Sequence, residues 1–259
     1  MQKTDCNKIQ RLLLAATLSA GLGFVFSAQA FAEETHYYIV DLNSKTATDL
    51  GTLLRIGNFP TGINDAGQVA GISVTALGIS HAFITGPNGV GMTDLGTLGG
   101  IQSAAWGGIN DAGQVVGDSI TASGAQHAFI TGPNGVGMTD LGAPGGNSSS
   151  AFGINDAGQV AGILGISFGV AHAFITGPNG VGMTDLGTLG GSDSSAWDIN
   201  NSGQVVGYSI TASGNQHAFI TGPNGVGMTD LGALRIFQSR LWYQRRRAGG
   251  GILRHNLRC

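Results

Sequence analysis

The chain has 259 residues, of which 42% are hydrophobic and 10% charged, and its formal net charge is −3. The charge is unevenly distributed, since residues 33–234 hold fourteen acidic and two basic residues, a net −12. A surface this acidic repels phosphate backbones and anionic headgroups, so the composition argues against nucleic-acid and membrane-surface partners. Cations and neutral glycans stay compatible with it.

The N-terminal segment is typical of an export signal. Basic residues precede an apolar run of 15 residues, Leu12–Phe26, and small-residue cleavage patterns follow it. We predict a signal peptide over residues 1–32 and therefore an extracellular, cell-surface or periplasmic protein. The run is too short to span a bilayer comfortably, so we expect no transmembrane span in the mature chain. Cys6 and Cys259 lie near opposite ends of the chain, which excludes a disulfide framework.

An internal repeat dominates the rest of the sequence. The block HAFITGPNGVGMTDLG occurs four times unchanged, beginning at residues 81, 127, 172 and 217, so consecutive copies are 46, 45 and 45 residues apart. A second block, GINDAGQVAG or a close variant, begins at residues 62, 108, 153 and 198. Two blocks per unit indicate two hairpins per unit.

Turn residues separate the short apolar runs in every unit. In the first hairpin, Asn110-Asp-Ala-Gly113 has the residue types of a tight turn, so we read this repeated Asn-Asp pair as structural. In the second hairpin, Gly132-Pro-Asn-Gly135 is a strong turn former. No apolar run after the leader reaches helical length, which predicts an essentially all-β chain with four short strands per unit.

Each unit is too small to bury its own apolar side chains and must stack on its neighbours. Four strands in 40 to 50 residues is the size of a propeller blade, and radial stacking of blades protects sheet edges. We therefore predict a β-propeller-like array. A linear β-solenoid is the alternative, although its coils are usually shorter and lack hairpin reversals.

Three motifs occur together at fixed spacing: His-Ala-Phe, then Asp-Leu-Gly-Thr-Leu-Gly-Gly, then Gly-Ile-Asn-x-x-Gly-Gln-Val-Val-Gly. In these motifs, over about residues 36–233, the chain resembles the HAF family of extracellular repeats. The resemblance implies secretion and a propeller-like fold, and it implies no established activity or catalytic residue.

The two ends of the array differ from its middle. Residues 36–56 look like a degenerate second hairpin without its first, so the domain 33–234 is expected to hold half a unit and four full units. Residues 235–259 are basic and unlike the repeat. Trp242–Leu253 can be encoded by codons that give GINDAGQVVGYS when they are read one base later. We therefore expect residues 235–259 to be a frameshifted, disordered tail on a truncated chain. An unclosed array would leave a sheet edge open to self-association.

Histidine and aspartate recur once per unit and are the candidate metal ligands. Imidazoles could converge on a propeller axis and bind a transition metal, and repeated carboxylates could bind Ca²⁺. The favoured interpretation is structural, with each histidine making a repeated hydrogen bond between blades. The candidates are His81, His127, His172, His217, Asp94, Asp140, Asp185 and Asp230.

Catalytic chemistry has little support in the sequence. Gly117-Asp118-Ser119 is a weak candidate for a nucleophile site, but the equivalent residues differ in the other units, so sequence drift on a strand explains it better. The glycine-rich stretches precede no helix, which argues against nucleotide binding. We predict no catalytic residue, no cofactor-binding residue and no enzyme activity.

A ligand face is expected where the units differ, because identical positions are those that stacking requires. Four segments vary most, and the approaches near Trp106 and Trp197 vary with them. We therefore predict a secreted or cell-surface, non-catalytic interaction module. Its ligand and partner stay unknown, with a glycan and a protein both compatible. The alternative is an inactive remnant of a larger propeller enzyme or surface protein. The variable segments are Ile72–Ser80, Asp118–Gln126, Ile163–Ala171 and Tyr208–Gln216.

Overall fold

The computed structural model describes residues 11–17, 35–41, 45–51, 53, 57–75 and 77–233. Within these ranges the chain forms strands and short 3₁₀ turns, and the strands form five antiparallel sheets. Sheet 1 has three strands, and sheets 2 to 5 have four each. No helix in the described ranges is both long and apolar enough to cross a membrane.

The strands follow one another in chain order within each sheet. Sheet 1 contains β1 (Arg11–Thr17), β2 (Thr35–Asp41) and β3 (Thr46–Asp49). Sheet 2 contains β4 (Gly57–Ile63), β5 (Val69–Val74), β6 (Ser80–Thr85) and β7 (Met92–Asp94). Sheet 3 contains β8 (Gly99–Ile109), β9 (Val115–Thr121), β10 (Gln126–Thr131) and β11 (Met138–Gly142). Sheet 4 contains β12 (Ser148–Ile154), β13 (Val160–Ser167), β14 (Val170–Thr176) and β15 (Met183–Asp185). Sheet 5 contains β16 (Gly190–Ile199), β17 (Val205–Thr211), β18 (Gln216–Thr221) and β19 (Met228–Gly232).

The two predicted turns close the hairpins of every full sheet and lie side by side. In sheet 3, the Gly113 N–H donates to the Asn110 carbonyl at 2.9 Å, and Gly113 has φ +73°. In the Pro-Asn-Gly turn, Asn134 and Gly135 also have positive φ, a region open to glycine and tolerated by asparagine. The Gly135 N–H donates to the Gly113 carbonyl at 3.0 Å. The repeated Asn and Gly residues are therefore required by backbone geometry.

Consecutive sheets stack face to face and bury a core between them. Between sheets 3 and 4, the core includes Val116 and Ile130 from one sheet and Ile154, Leu164 and Phe174 from the other. One phenylalanine per full sheet lies fully or almost fully buried at the same position. Burying such side chains from both sheets is what holds neighbouring units together. These phenylalanines are Phe83, Phe129, Phe174 and Phe219.

The first strands of neighbouring sheets approach one another most closely. A Cβ at Gly62 in β4 would lie 2.2 Å from the Gly107 carbonyl oxygen in β8, so a side chain cannot fit there. Radial stacking with the first strands innermost explains this close approach. The architecture is the predicted propeller-like array of hairpin sheets, and the β-solenoid alternative is wrong. The described sheets are not closed into a ring.

Sheet 1 repeats the outer half of a full sheet. Tyr38 pairs with Asp49 across β2 and β3, in the register in which Phe83 pairs with Asp94 across β6 and β7. Ile39 also lies against Gly89 in the way that Ile84 lies against Gly135 of the next turn. The strand β1 pairs with β2 on the side that a second strand takes in the other sheets.

Two predictions fall wholly or partly on undescribed residues. The predicted leader, residues 1–32, is described only over β1, and its cleavage stays a prediction. The prediction of a frameshifted tail over residues 235–259 lies outside the described residues.

Candidate functional site: a groove between consecutive sheets

Each repeated histidine is held by a carboxylate of its own sheet. The His81 Nδ1 lies 2.8 Å from an oxygen of Asp94, and the same pair recurs in the other three full sheets at 2.7 to 2.9 Å. The expectation of a hydrogen bond between blades was therefore wrong. The pairs join the third and fourth strands of one sheet, because these residues stand 13 apart across a hairpin. The other pairs are His127–Asp140, His172–Asp185 and His217–Asp230.

The carboxylates of these pairs also fix the backbone that follows them. Asp230 accepts the Gly232 N–H at 2.7 Å, and the equivalent bond recurs at Gly96, Gly142 and Gly187. The hydrogen bond from His217 and the bond from Gly232 lower the pKa of Asp230. In the part of the chain that the structure describes, no three His, Cys, Asp or Glu side chains cluster as metal ligands.

The aspartates of the Asn-Asp turns form a row along one end of the sheets. Asp111 accepts the Asp65 N–H at 3.3 Å, and Asp156 accepts the Asp111 N–H at 3.4 Å. The neighbouring asparagines are linked similarly, because Asn64 Nδ2 donates to the Asn110 carbonyl at 3.0 Å. These identical residues therefore connect neighbouring sheets.

Two serine motifs occupy positions that explain them without catalysis. Ser119 is buried, and its hydroxyl donates to the Gln102 carbonyl while accepting the Leu98 N–H. The chain also contains one Gly-x-Ser-x-Gly, residues 165–169, which sequence reasoning missed. It forms the hairpin between β13 and β14, whereas a nucleophile elbow joins a strand to a helix.

The variable segments and the approaches to the first strands meet in a groove between consecutive sheets. Gln126, from the variable segment of sheet 3, donates to the Ser150 hydroxyl of sheet 4 at 3.0 Å. One sheet further on, the Ala171 N–H donates to Asp193 at 3.1 Å. Thus residues that differ between units face one another across the junction of sheets 3 and 4 and across that of sheets 4 and 5.

Aromatic side chains occupy a bulge of the first strand in three successive sheets. The register of β12 shifts around Phe152 and that of β16 around Trp197, while Trp106 lies beside the corresponding shift in β8. A bulge re-aims a side chain that regular pairing would point elsewhere. Trp197 is 54% exposed, and its ring stacks on Phe152 with centroids 5.2 Å apart. Tyr208 extends this aromatic row at 6.4 Å from Trp197.

Polar groups line the same groove beside the rings. A cavity of about 390 Å³ lies there, within the roughly 300–1,000 Å³ that small-ligand sites occupy. Hydrogen bonds from Ser192 and from the Ala171 N–H lower the pKa of Asp193, which favours its ionised form. The cavity thus combines apolar ring faces with hydrogen-bonding groups. Its lining includes Phe152, Asp193, Ser195, Trp197, Tyr208 and Gln216.

The junction between sheets 3 and 4 carries a related arrangement. Trp106 Nε1 donates to Asp118 at 2.7 Å, beside Gln126 and Ser150. Burial raises the pKa of the Asp118 carboxyl, and hydrogen bonds from these three residues partly oppose that rise. Asp118 is the residue that replaces Ile72, Ile163 and Tyr208 of the other sheets.

Sequence reasoning identified Trp106 and Trp197, and it placed Asp118 and Tyr208 at the start of two variable segments. It did not pair these two residues with the tryptophans, and it missed Phe152. Their position relative to the Gly-Ile-Asn motif could have shown that Phe152 and Trp197 are equivalent, since both stand two residues before the isoleucine. The extra residue in β8 shifts Trp106 by one and obscures the correspondence.

No protein-family model matches the chain, and the search of curated proteins gave no match. Solved structures do resemble it. TolB from Acinetobacter baumannii superposes with a TM-score of 0.54 at 12% identity, over 76% of this chain and 48% of that one. The fold is an open, β-propeller-like array of sheets. A TolB-type protein from Agrobacterium tumefaciens gives 0.55 at 14% identity, over 78% and 75%. Dipeptidyl peptidase 4 from Porphyromonas gingivalis gives 0.56 at 11% identity, over 81% and 31%, so this chain spans about a third of that propeller enzyme.

Proposed function

We propose that this propeller is an exported, non-catalytic module that binds a neutral carbohydrate in the groove of the aromatic row. One observation carries the proposal: Trp197 is 54% exposed while its ring stacks on Phe152, so a large apolar ring face is held rigid at the surface. Contiguous apolar patches on a protein surface mark ligand-binding grooves, and the rings of Phe152, Trp197 and Tyr208 lie side by side in such a patch.

Carbohydrate is the ligand class that fits both parts of the cavity lining. The axial hydrogens of a sugar ring form an apolar face, which an indole or phenyl ring covers well. Sugar hydroxyls require donors and acceptors at the edge of that contact, and Asp193, Ser195 and Gln216 supply them. These side chains suit binding and orientation of a ligand.

Charge favours a neutral carbohydrate over an anionic one. The repeat domain, residues 33–234, carries fourteen acidic and two basic residues, so a uronic acid or sulfated polymer would meet a repulsive field. The resemblance to the HAF family and the predicted N-terminal leader support placing the module outside the cytoplasm, in the periplasm, on the cell surface or in the medium.

The test uses protein recovered from the exported fraction of a bacterial host. Its N-terminus is expected at Glu33, and calorimetry against neutral gluco-, manno-, galacto- and N-acetylglucosamine hexasaccharides should show binding to at least one of them. Trp197→Ala should weaken that binding by tenfold or more, about 1.4 kcal/mol.

Phe59→Ala is the matched control, because Phe59 is an exposed aromatic residue of β4 in sheet 2 and does not line the cavity between sheets 4 and 5. It should leave the affinity unchanged. Failure of the whole hexasaccharide panel to bind, or equal losses in the two variants, would contradict the proposal.

A further inference from the structure

Sheet 5 exposes a face that the preceding full sheets bury. In sheets 2 to 4 this face, which we call the trailing face, is covered by the next sheet. Val206 on the trailing face of sheet 5 is 39% exposed, whereas the equivalent Val116 of sheet 3 is 0% exposed. Leu231 is 59% exposed and lies on the same face. A cavity of about 440 Å³ lies beside both residues.

The trailing faces of sheets 2 to 4 also make a fixed set of hydrogen bonds to the next sheet. In sheet 3, the Ala128 N–H donates to the Ser149 hydroxyl at 2.8 Å, and that hydroxyl donates to the Gly142 carbonyl. The same serine bridge joins sheets 2 and 3 through Ser103 and sheets 4 and 5 through Ser194. Within the described ranges, no serine bridges the equivalent Ala218 and Gly232 of sheet 5.

A second link recurs at the turn of the first hairpin. Asn110 Nδ2 donates to the Asn155 carbonyl of the next sheet at 3.0 Å, and Asn155 Nδ2 donates to Asn200 in the same way. Asn200 is the equivalent asparagine of sheet 5. Its Nδ2 donates to Gln204 of its own turn, and among the described residues no carbonyl of a further sheet accepts a hydrogen bond from it. The trailing face of sheet 5 therefore presents both the apolar side chains and the hydrogen-bonding groups that join the other sheets.

We propose that the trailing face of sheet 5 is a docking site for a β-hairpin that carries the first and second strands of this same repeat. Such a hairpin supplies a bridging serine, an Asn-x-x-Gly turn and the apolar residues that cover a valine at this position. The argument rests on continuity with an interface that the chain already forms three times.

A second copy of the chain fits this face less well than a hairpin does. The first strands of sheets 2 to 5 are already packed against a preceding sheet. Sheet 1 has the strand order β1-β2-β3, in which β2 and β3 match the third and fourth strands of a full sheet. Sheet 1 therefore brings neither a bridging serine nor an Asn-x-x-Gly turn to the contact.

The test uses the full chain and a fluorescein-labelled peptide of residues 99–121, which contains the first hairpin of sheet 3. Fluorescence anisotropy should show saturable binding in the absence of any sugar. A peptide with Ser103→Ala should bind at least tenfold more weakly, because it lacks the bridging serine. The native peptide should also bind the Asn200→Ala chain more weakly, because the second link runs from the asparagine side chain of the preceding sheet to a backbone carbonyl of the next turn.

Protein variants locate the contact. Val206→Asp should reduce peptide affinity at least tenfold, whereas Val181→Asp, at an exposed valine on the Pro178–Gly180 turn of sheet 4, should not change it. Circular dichroism checks that the variants fold, and Leu231→Asp replaces Val206→Asp if the latter does not. Absence of peptide binding to the native chain, or binding that Val206→Asp leaves unchanged, would overturn the proposal. Self-association that Val206→Asp abolishes, without peptide binding, would assign the face to a second copy and equally overturn it.

Discussion

At the junctions between sheets, single side chains differ in type and in environment from one unit to the next. Asp118 occupies a position that is isoleucine or tyrosine in the other full sheets, and it pairs with Trp106. Burial raises the pKa of Asp118, so the folded chain binds its proton more tightly than the unfolded chain does. Ionised Asp118 therefore reduces stability above its folded pKa, and this cost disappears as the pH falls through the ordinary carboxyl value of 3.8.

Replacement of Asp118 by asparagine should therefore stabilise the protein at neutral pH. Asp118→Asn removes the buried charge and keeps an acceptor for Trp106, so its melting temperature at pH 7 should exceed that of the native chain. The difference should shrink toward zero below pH 3.8, where the native carboxyl is protonated in both states. Calorimetric melting across this pH range measures the effect.

Trp106→Phe provides the matched comparison, because it removes the indole N–H that donates to Asp118. This donor lowers the pKa of Asp118, so its loss should raise that pKa further, as followed by carboxyl NMR titration. A fall in the Asp118 pKa in the Trp106→Phe variant would contradict the role assigned to the indole N–H. An Asp118→Asn variant that is less stable at pH 7 would show that the hydrogen bonds outweigh burial.

The Pro-Asn-Gly turn is the element that joins the geometry of one sheet to the packing of the next. Gly135 has φ +74°, and a Cβ there would lie 2.7 Å from Ile84 Cγ2 and 2.8 Å from Leu95 Cδ2 of the preceding sheet. The equivalent turn of sheet 2, at Gly89, lies against Ile39 and Leu50 of sheet 1 in the same way. One glycine thus satisfies a backbone requirement and an intersheet contact at once.

Gly135→Ala should destabilise the protein for both reasons. The positive φ costs a non-glycine residue roughly 1–2 kcal/mol, and overpacking of the neighbouring sheet adds about 1–3 kcal/mol. Gly137→Ala is the control, because Gly137 has φ +69° but no atom within 4 Å of a Cβ. Urea unfolding should show a clearly larger loss for Gly135→Ala. Equal losses would mean that the contact with Ile84 and Leu95 adds nothing.

At the scale of the whole molecule, stability is the sum of interfaces between nearest neighbours. Sheets 3 and 4 are covered on both faces, while the trailing face of sheet 5 is exposed at Val206 and Leu231. A separate apolar core therefore lies at each junction, and the array is weakest where a face is left uncovered. Local opening should begin at such an end.

Hydrogen exchange should reveal this gradient. Amides of residues 205–221 in sheet 5 should be at least tenfold less protected than the equivalent residues 115–131 in sheet 3, because opening sheet 5 breaks one interface and opening sheet 3 breaks two. The peptides analysed must extend into the flanking residues, since the repeat blocks are identical in sequence. Equal protection would indicate that the described sheets unfold as one cooperative unit.

Local sequence determined much of this fold. Pro133-Asn-Gly135 and Asn110-x-x-Gly113 specify their turns because the backbone there needs positive φ, which few residues adopt. The repeat period of 45 or 46 residues, with four strands in each, then indicates blade-sized units, and the buried phenylalanines follow from the His-Ala-Phe block. The all-β class and the propeller arrangement were therefore predictable.

What only the tertiary structure decided lies between elements that are distant in sequence. The sequence does not state that His81 bonds to Asp94 of its own sheet, nor that Asn64 bonds to Asn110 across a junction, because strand register and sheet stacking fix both. Likewise a bulge in β16 turns Trp197 onto Phe152, 45 residues earlier in the chain. Residue type and spacing set the turns through local backbone energetics, whereas the groove arises from contacts that exist only once neighbouring sheets have stacked.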